Sequence, residues 1–289
     1  MSYRSKSLCA VFFILAFSLS FNFSFNTLMA AGDGLVSNEY HLILGPNAPY
    51  NPELSQNEIV KKIQSVLVEY ALTNSWQIRA TNEIQVRDIS FFESVNGDLG
   101  KNSLILRKRG RLDKNAWTLK RRQTEAFDKD SVFKGAKVPL KVKQERDIQW
   151  IKSGQQFTTF SESGNFEMQT DFTNSGQILS IFPALKDATN LPKSEPVSRI
   201  LPVPIAETVY NTIELVEPST KTNLTFETIF WTVQNCRNRI IEVSVKQMDS
   251  KDKEEVEAAI QEIYNLFPAQ DTQVSKTRLI NSICGDANP

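Results

Sequence analysis

Several short segments of this chain alternate strictly between apolar and charged residues, and that alternation restricts the folds open to it. In Ile241–Lys246, Ile241, Val243 and Val245 fall on one side of an extended strand and Glu242, Ser244 and Lys246 on the other. Leu104–Arg109 puts Arg107 and Arg109 on one side with Lys108 opposite. Thr118, Lys120 and Arg122 share a side, as do Lys143, Glu145 and Asp147. If the apolar sides pack under helices, the charged sides must face one another or water. A sheet that curls closed satisfies both demands and encloses a wet, charged lumen.

The order of segments fits that requirement. Asn38–Gly45 reads as a strand. Residues 55–72 read as an amphipathic helix, with Ser55 and Glu58 in capping-box spacing and Ile59, Ile63, Val66, Leu67 and Tyr70 on one face. Strands follow over 76–92, 102–110, 116–123 and 138–151. Residues 153–198, rich in Ser, Thr, Asn, Gln and Pro, read as loop apart from a short helix near 176–187. Strands resume over 207–216, 224–233 and 238–247, and residues 250–267 carry helical spacing at Val256, Ile260, Ile263 and Phe267. The fold class is therefore α+β, an antiparallel β-barrel flanked by helices.

Charge is unevenly spread. The 289-residue chain has 33 basic and 33 acidic residues, yet Lys101–Lys143 holds fourteen Lys and Arg against four Asp and Glu. The excess concentrates on the hairpin 104–122. A cationic lumen with a few carboxylates suits a linear oligophosphate, because Arg and Lys take phosphate oxygens and carboxylates hold a bridging divalent ion. The overall neutral charge argues against a nucleic-acid partner. No Gly-rich phosphate loop and no nucleophile elbow is present, and a single histidine leaves little for Ser-His or Cys-His chemistry.

Residues 1–31 have the pattern of a signal peptide: Arg4 and Lys6, an apolar run to about Phe25, then small residues at Ala30 and Ala31. Residues 32–289 would then form one exported domain, periplasmic or secreted, without stable membrane insertion. Export permits a disulfide between Cys236 and Cys284, but sequence alone leaves their pairing open.

The stretch Val86–Arg122 resembles the middle of the CYTH, or triphosphate tunnel, superfamily. Arg87, Phe91, Phe92, Leu106, Arg107, Arg109, Thr118 and Lys120 follow in that family's order, and Lys143, Glu145 and Asp147 look like its next strand. The resemblance implies a tunnel that binds an oligophosphate or a phosphate-bearing small molecule. Arg87, Arg107, Arg109, Lys120, Arg122, Lys143 and Lys246 would bind phosphate. Glu39, Glu145, Asp147 and Glu242 would hold Mg²⁺ or Mn²⁺ for phosphoanhydride hydrolysis. Two positions depart from the family pattern. His41 stands where a second carboxylate of the first strand is usual, and Ser244 replaces another. Fewer carboxylates favour a softer ion than Mg²⁺, or a binding module without catalysis for a glycan or lipid headgroup.

Overall fold

The computed structural model describes residues 37–44, 54–80, 83–111, 114–127, 131–151, 155–218, 223–236, 238–247, 253–267 and 276–284. The signal-peptide expectation, on residues 1–31, lies outside them. The elements run β1 (Ser37–Leu44), α1 (Gln56–Thr73), β2 (Gln77–Ala80), β3 (Ile84–Ser94), α2 (Asp98–Lys101), β4 (Leu104–Arg111), β5 (Lys114–Gln123) and β6 (Lys141–Trp150). They continue with β7 (Gln156–Glu167), α3 (Ser175–Ile181), α4 (Leu185–Ala188), β8 (Val197–Arg199), β9 (Ile205–Val216), β10 (Asn223–Val233), β11 (Arg239–Gln247), α5 (Lys253–Leu266) and α6 (Lys276–Cys284).

The sheet closes. Its order is β2-β9-β10-β11-β1-β6-β7-β5-β4-β3-β8, and β3 also pairs with β9. The strands from β9 round to β3 thus form a ring, with β2 and β8 as flanking additions. The ring is mixed: β1 runs parallel to β6, while each other described pairing is antiparallel.

The apolar sides lie outward under helices. Tyr40, Leu42 and Leu44 of β1 and Ile241, Val243 and Val245 of β11 pack with Ile59, Ile63 and Leu67 of α1 and Val256, Ile260 and Ile263 of α5. Ser55 and Glu58 form the capping box that starts α1. A second jacket joins Leu106, Trp117, Leu119 and Phe166 to Phe133, Phe172, Ile178 and Phe182. Gly164, on the outer side of β7, lets this jacket close: an added Cβ would sit 2.7 Å from the Phe133 ring. A third cluster joins Ile43, Ile89, Ile229, Trp231 and Ile240 to Leu279 and Ile280 of α6. These strand residues point inward, so α6 covers part of one barrel end. Cys236 and Cys284 are disulfide-bonded and tie the end of α6 to the β10–β11 turn.

One part of the sequence reading needs correction. Residues 156–167 are strand β7, not loop, and β7 bridges β5 and β6. Its inward residues are Thr159, Ser161, Ser163 and Asn165, matched in register to Asp147, Glu145, Lys143 and Lys141. A strand that lines a polar lumen with hydroxyls and amides lacks the apolar run that marks most strands. The C-terminal segment holds helix α6. Among the described residues, no helix is long and apolar enough to cross a membrane.

Candidate functional site

Cross-strand register puts charged residues from many strands on the inward side. Glu39 lies opposite Asp147 on one neighbour and Lys246 on the other. Arg107 lies opposite Thr118 and Phe91, and Arg87 opposite Glu207. Lys120 and Arg122 lie opposite Ser163 and Ser161. Glu227 lies opposite Ser244, which itself lies opposite His41. The barrel thus brings Arg87, Arg107, Arg109, Lys120, Arg122, Glu39, Glu145, Asp147 and Glu242 to one lumen. Lys143 and Lys246 share that side of their strands but are exposed.

Lys108 lies on the outer side, as alternation requires. Its ammonium pairs with Asp171 at 2.6 Å and sits over the Trp117 ring.

Two walls differ in how their charge is held. On the carboxylate wall, Asp147 is buried yet flanked by Lys120 Nζ at 3.0 Å and Arg122 Nε at 3.4 Å. Lys120 also reaches Glu145 at 3.6 Å, and Lys246 reaches Glu39 at 3.6 Å. Glu242 is buried; Lys276 of α6 pairs with it, and His41 Nδ1 lies 3.0 Å from its Oε1. Burial raises the pKa of Asp147, but Lys120, His41 and Arg122 outweigh it and hold the carboxyl well below its usual range. Glu242 is lowered in the same way, with Lys276 and His41 outweighing burial. Glu39 is also lowered, by His41 and Lys246 against burial. Burial would lower His41, yet Glu39 and Glu242 raise it to about 9. Without a metal the three carboxylates therefore favour the protonated ring, and a cation held at Nε2 would displace that proton.

The guanidinium wall has one carboxylate for three arginines. Glu207 is buried, pairs with Arg87 and with Arg109 Nη2 at 3.6 Å, and accepts a hydrogen bond from Trp231 Nε1 at 3.1 Å. Arg109 and Arg87 hold its carboxyl low against burial. Arg107 has no carboxylate at ion-pair distance among the described residues. Its Nη2 donates weakly to Thr118 Oγ1 at 3.5 Å, Thr118 donates to Asn165 Oδ1 at 2.8 Å, and the buried Nε has no partner. Burial, and next the Arg109 guanidinium, pull Arg107 down to about 9.

Glu207 and Lys276 escape the sequence reading. Glu207 sits between Ile205 and Val209 on the inward side of β9, so alternation there puts a carboxylate on an apolar-looking face. Lys276 carries a usable signal. It precedes Leu279 and Ile280 by three and four residues, the spacing of one helical face, and both are buried against the barrel.

Glu39, His41 and Asp147 offer one donor atom each within 4.8 Å of one another, a group able to hold a metal ion. His41 Nε2 is buried without a hydrogen-bond partner, 3.6 Å from Glu39 Oε2 and 3.8 Å from Asp147 Oδ1. That orphaned nitrogen between two carboxylates fits a divalent cation with mixed nitrogen and oxygen ligands.

No protein-family profile and no curated protein matches this chain. Its fold is similar to that of a candidate adenylyl cyclase from Hippeastrum described as having a dominant triphosphatase activity, at 13% identity and TM-score 0.45, covering 84% of this chain and 94% of that one. It is similar to a candidate adenylate cyclase from Bacillus halodurans at 14% identity and TM-score 0.41, covering 84% and 96%. A candidate adenylate cyclase from Vibrio parahaemolyticus follows at 8% identity and TM-score 0.35, covering 86% and 99%. The chain folds as the closed, helix-flanked β-barrel with a charged lumen that its resemblance to the triphosphate tunnel superfamily implies.

Proposed function

We propose that the lumen binds an oligophosphate or a phosphate-bearing small molecule. The observation that carries this reading is Arg107. A half-buried guanidinium whose buried Nε has no partner and that meets no carboxylate is costly, and an anionic ligand removes that cost. Arg109, Arg87, Lys120 and Arg122 surround the same space and would take further phosphate oxygens. Lys143 and Lys246 would steer the anion inward.

If the protein hydrolyses its ligand, Glu39, His41 and Asp147 would hold the cation, Mg²⁺ or Mn²⁺, which supplies Lewis-acid polarisation of a phosphoryl oxygen. Arg107, Arg109 and Lys120 would neutralise charge that grows on the phosphoryl oxygens and the leaving group. The chain would act after export, in the periplasm or outside the cell. A second reading, a non-catalytic module for a glycan or lipid headgroup, is favoured by one observation. Glu39, Asp147 and Glu242 already have cationic partners within the protein.

Calorimetric titration with tripolyphosphate, with and without Mg²⁺ or Mn²⁺ and with released phosphate followed in the same samples, tests both. Binding with metal-dependent release identifies a phosphohydrolase, and binding without turnover a carrier or sensor. No binding of tripolyphosphate overturns the phosphate reading. Arg107→Met should weaken binding by about 10- to 100-fold, the value of charge-assisted hydrogen bonds.

A further inference from the structure

Glu242 holds the Nδ1 side of the His41 ring, and both of its oxygens are engaged. Oε1 lies 3.0 Å from His41 Nδ1, and Oε2 pairs with the ammonium of Lys276. Lys276 is itself fixed: its ammonium lies 4.9 Å from the centroid of the Trp231 ring, and α6 packs against the barrel through Leu279 and Ile280 and is tied down by the Cys236–Cys284 disulfide. Glu242 is also absent from the group of donors close enough to share an ion, which consists of Glu39, His41 and Asp147. The imidazole has two nitrogens with opposite tasks. One faces Glu242, and the other is buried, unpartnered and turned toward the two remaining carboxylates.

We propose that Glu242 is a positioning residue rather than a metal ligand: clamped by Lys276, it takes the Nδ1 proton of His41 as a hydrogen bond and aims Nε2 at a divalent cation shared with Glu39 and Asp147. A carboxylate behind a ligating histidine fixes the tautomer and ring orientation and makes the ligating nitrogen more basic. The relay runs Lys276–Glu242–His41, so α6 acts on the cation group without touching it. A nitrogen ligand in place of a third carboxylate shifts preference from Mg²⁺ toward Mn²⁺, Co²⁺ or Zn²⁺. This inference deepens the metal part of the proposed function and stands apart from phosphate binding.

The test uses Co²⁺, whose visible absorption reports its ligand set, titrated into the full protein without phosphate. Wild type should bind Co²⁺, and Glu242→Gln should lower the affinity by about 10- to 100-fold while leaving the band pattern unchanged. Histidine ring ¹⁵N spectra of the Zn²⁺ form should show the metal on Nε2 and the proton on Nδ1 in wild type, with that proton less protected in Glu242→Gln. Lys276→Met removes the clamp with both carboxylate and imidazole retained. It should also weaken Co²⁺ binding, and Lys276→Arg should restore it. A changed band pattern in Glu242→Gln would put Glu242 in the coordination sphere and overturn the proposal. Unaltered affinity in both Glu242→Gln and Lys276→Met, or no Co²⁺ binding by wild type, would overturn it as well. None of these results depends on tripolyphosphate, so the phosphate reading can stand or fall separately.

Discussion

The two walls of the lumen solve the same problem in opposite ways. Both bury charge, which is unfavourable unless the charge is compensated. The wall of β1, β6 and β11 compensates internally: Lys120, Arg122, Lys246, Lys276 and His41 answer Glu39, Asp147 and Glu242. The wall of β3, β4 and β9 leaves a surplus. Glu207 answers Arg87 and Arg109, and Arg107 is left with a hydroxyl. The first wall balances its charge within the protein and leaves one imidazole nitrogen unpartnered, while the second carries a surplus that an anion would answer in the function proposed above. That difference separates charges answered within the fold from a charge left without a carboxylate, although both walls are built from the same Arg, Lys, Asp and Glu side chains.

The largest expected effect follows from removing the carboxylate shared by the arginines. Glu207→Ala should destabilise the protein by about 3–5 kcal/mol, because two cations lose their buried partner. Urea denaturation measures it, and a loss below about 1 kcal/mol would mean that water already screens this wall. Arg107→Met is the converse. It removes a half-buried cation that has no carboxylate partner, so stability should hold or rise while anion affinity falls. A clear drop in the denaturation midpoint would show Arg107 to be a structural member of its wall, and the contrast between the walls would fail. Gly164→Ala lies outside both walls, in the jacket behind β7. It should cost about 1–3 kcal/mol through overpacking against Phe133, with tripolyphosphate affinity unchanged.

The smallest effect is a pH window on the carboxylate wall. His41 has a folded pKa raised to about 9. Its contribution to stability is therefore complete below its ordinary value near 6.5 and is lost as pH rises through about 9. The lowered carboxyls of Glu39, Asp147 and Glu242 act in the other direction: their contribution is present above the ordinary carboxylate range and is lost as pH falls below it. Thermal melts in metal-free buffer from pH 6 to 10 should show a decline that is shallower in His41→Gln. An identical decline in both proteins would mean that the ring is not the charged centre of its wall.

Much of this was legible from local pattern. Period-two alternation is a property of neighbouring residues, and it correctly separated Arg107, Arg109, Lys120, Glu242 and Lys246 from Lys108 and the apolar jacket. The capping box and the helical spacing of α1 and α5 are local too. β7 was not legible, because a strand facing a polar lumen on one side carries Thr, Ser and Asn there and loses the apolar signature. Glu207 was hidden for the opposite reason, as a lone carboxylate among inward-facing Ile and Val.

By itself, then, the sequence determined that the strands are two-faced, that their charged faces must be enclosed, and that helices must cover the rest. Those conclusions need only the geometry of an extended chain and the cost of exposing apolar surface. Tertiary structure alone decided which charge meets which. Glu207 finds Arg87 across 120 residues, His41 finds Glu242 across 201, and Lys276 reaches the lumen through a helix pinned by a disulfide. Whether a buried cation is satisfied or waits for an anion depends on those meetings. They are set by where the ring closes, with β1 beside β6 and β3 beside β9, and no short stretch of the chain encodes that closure.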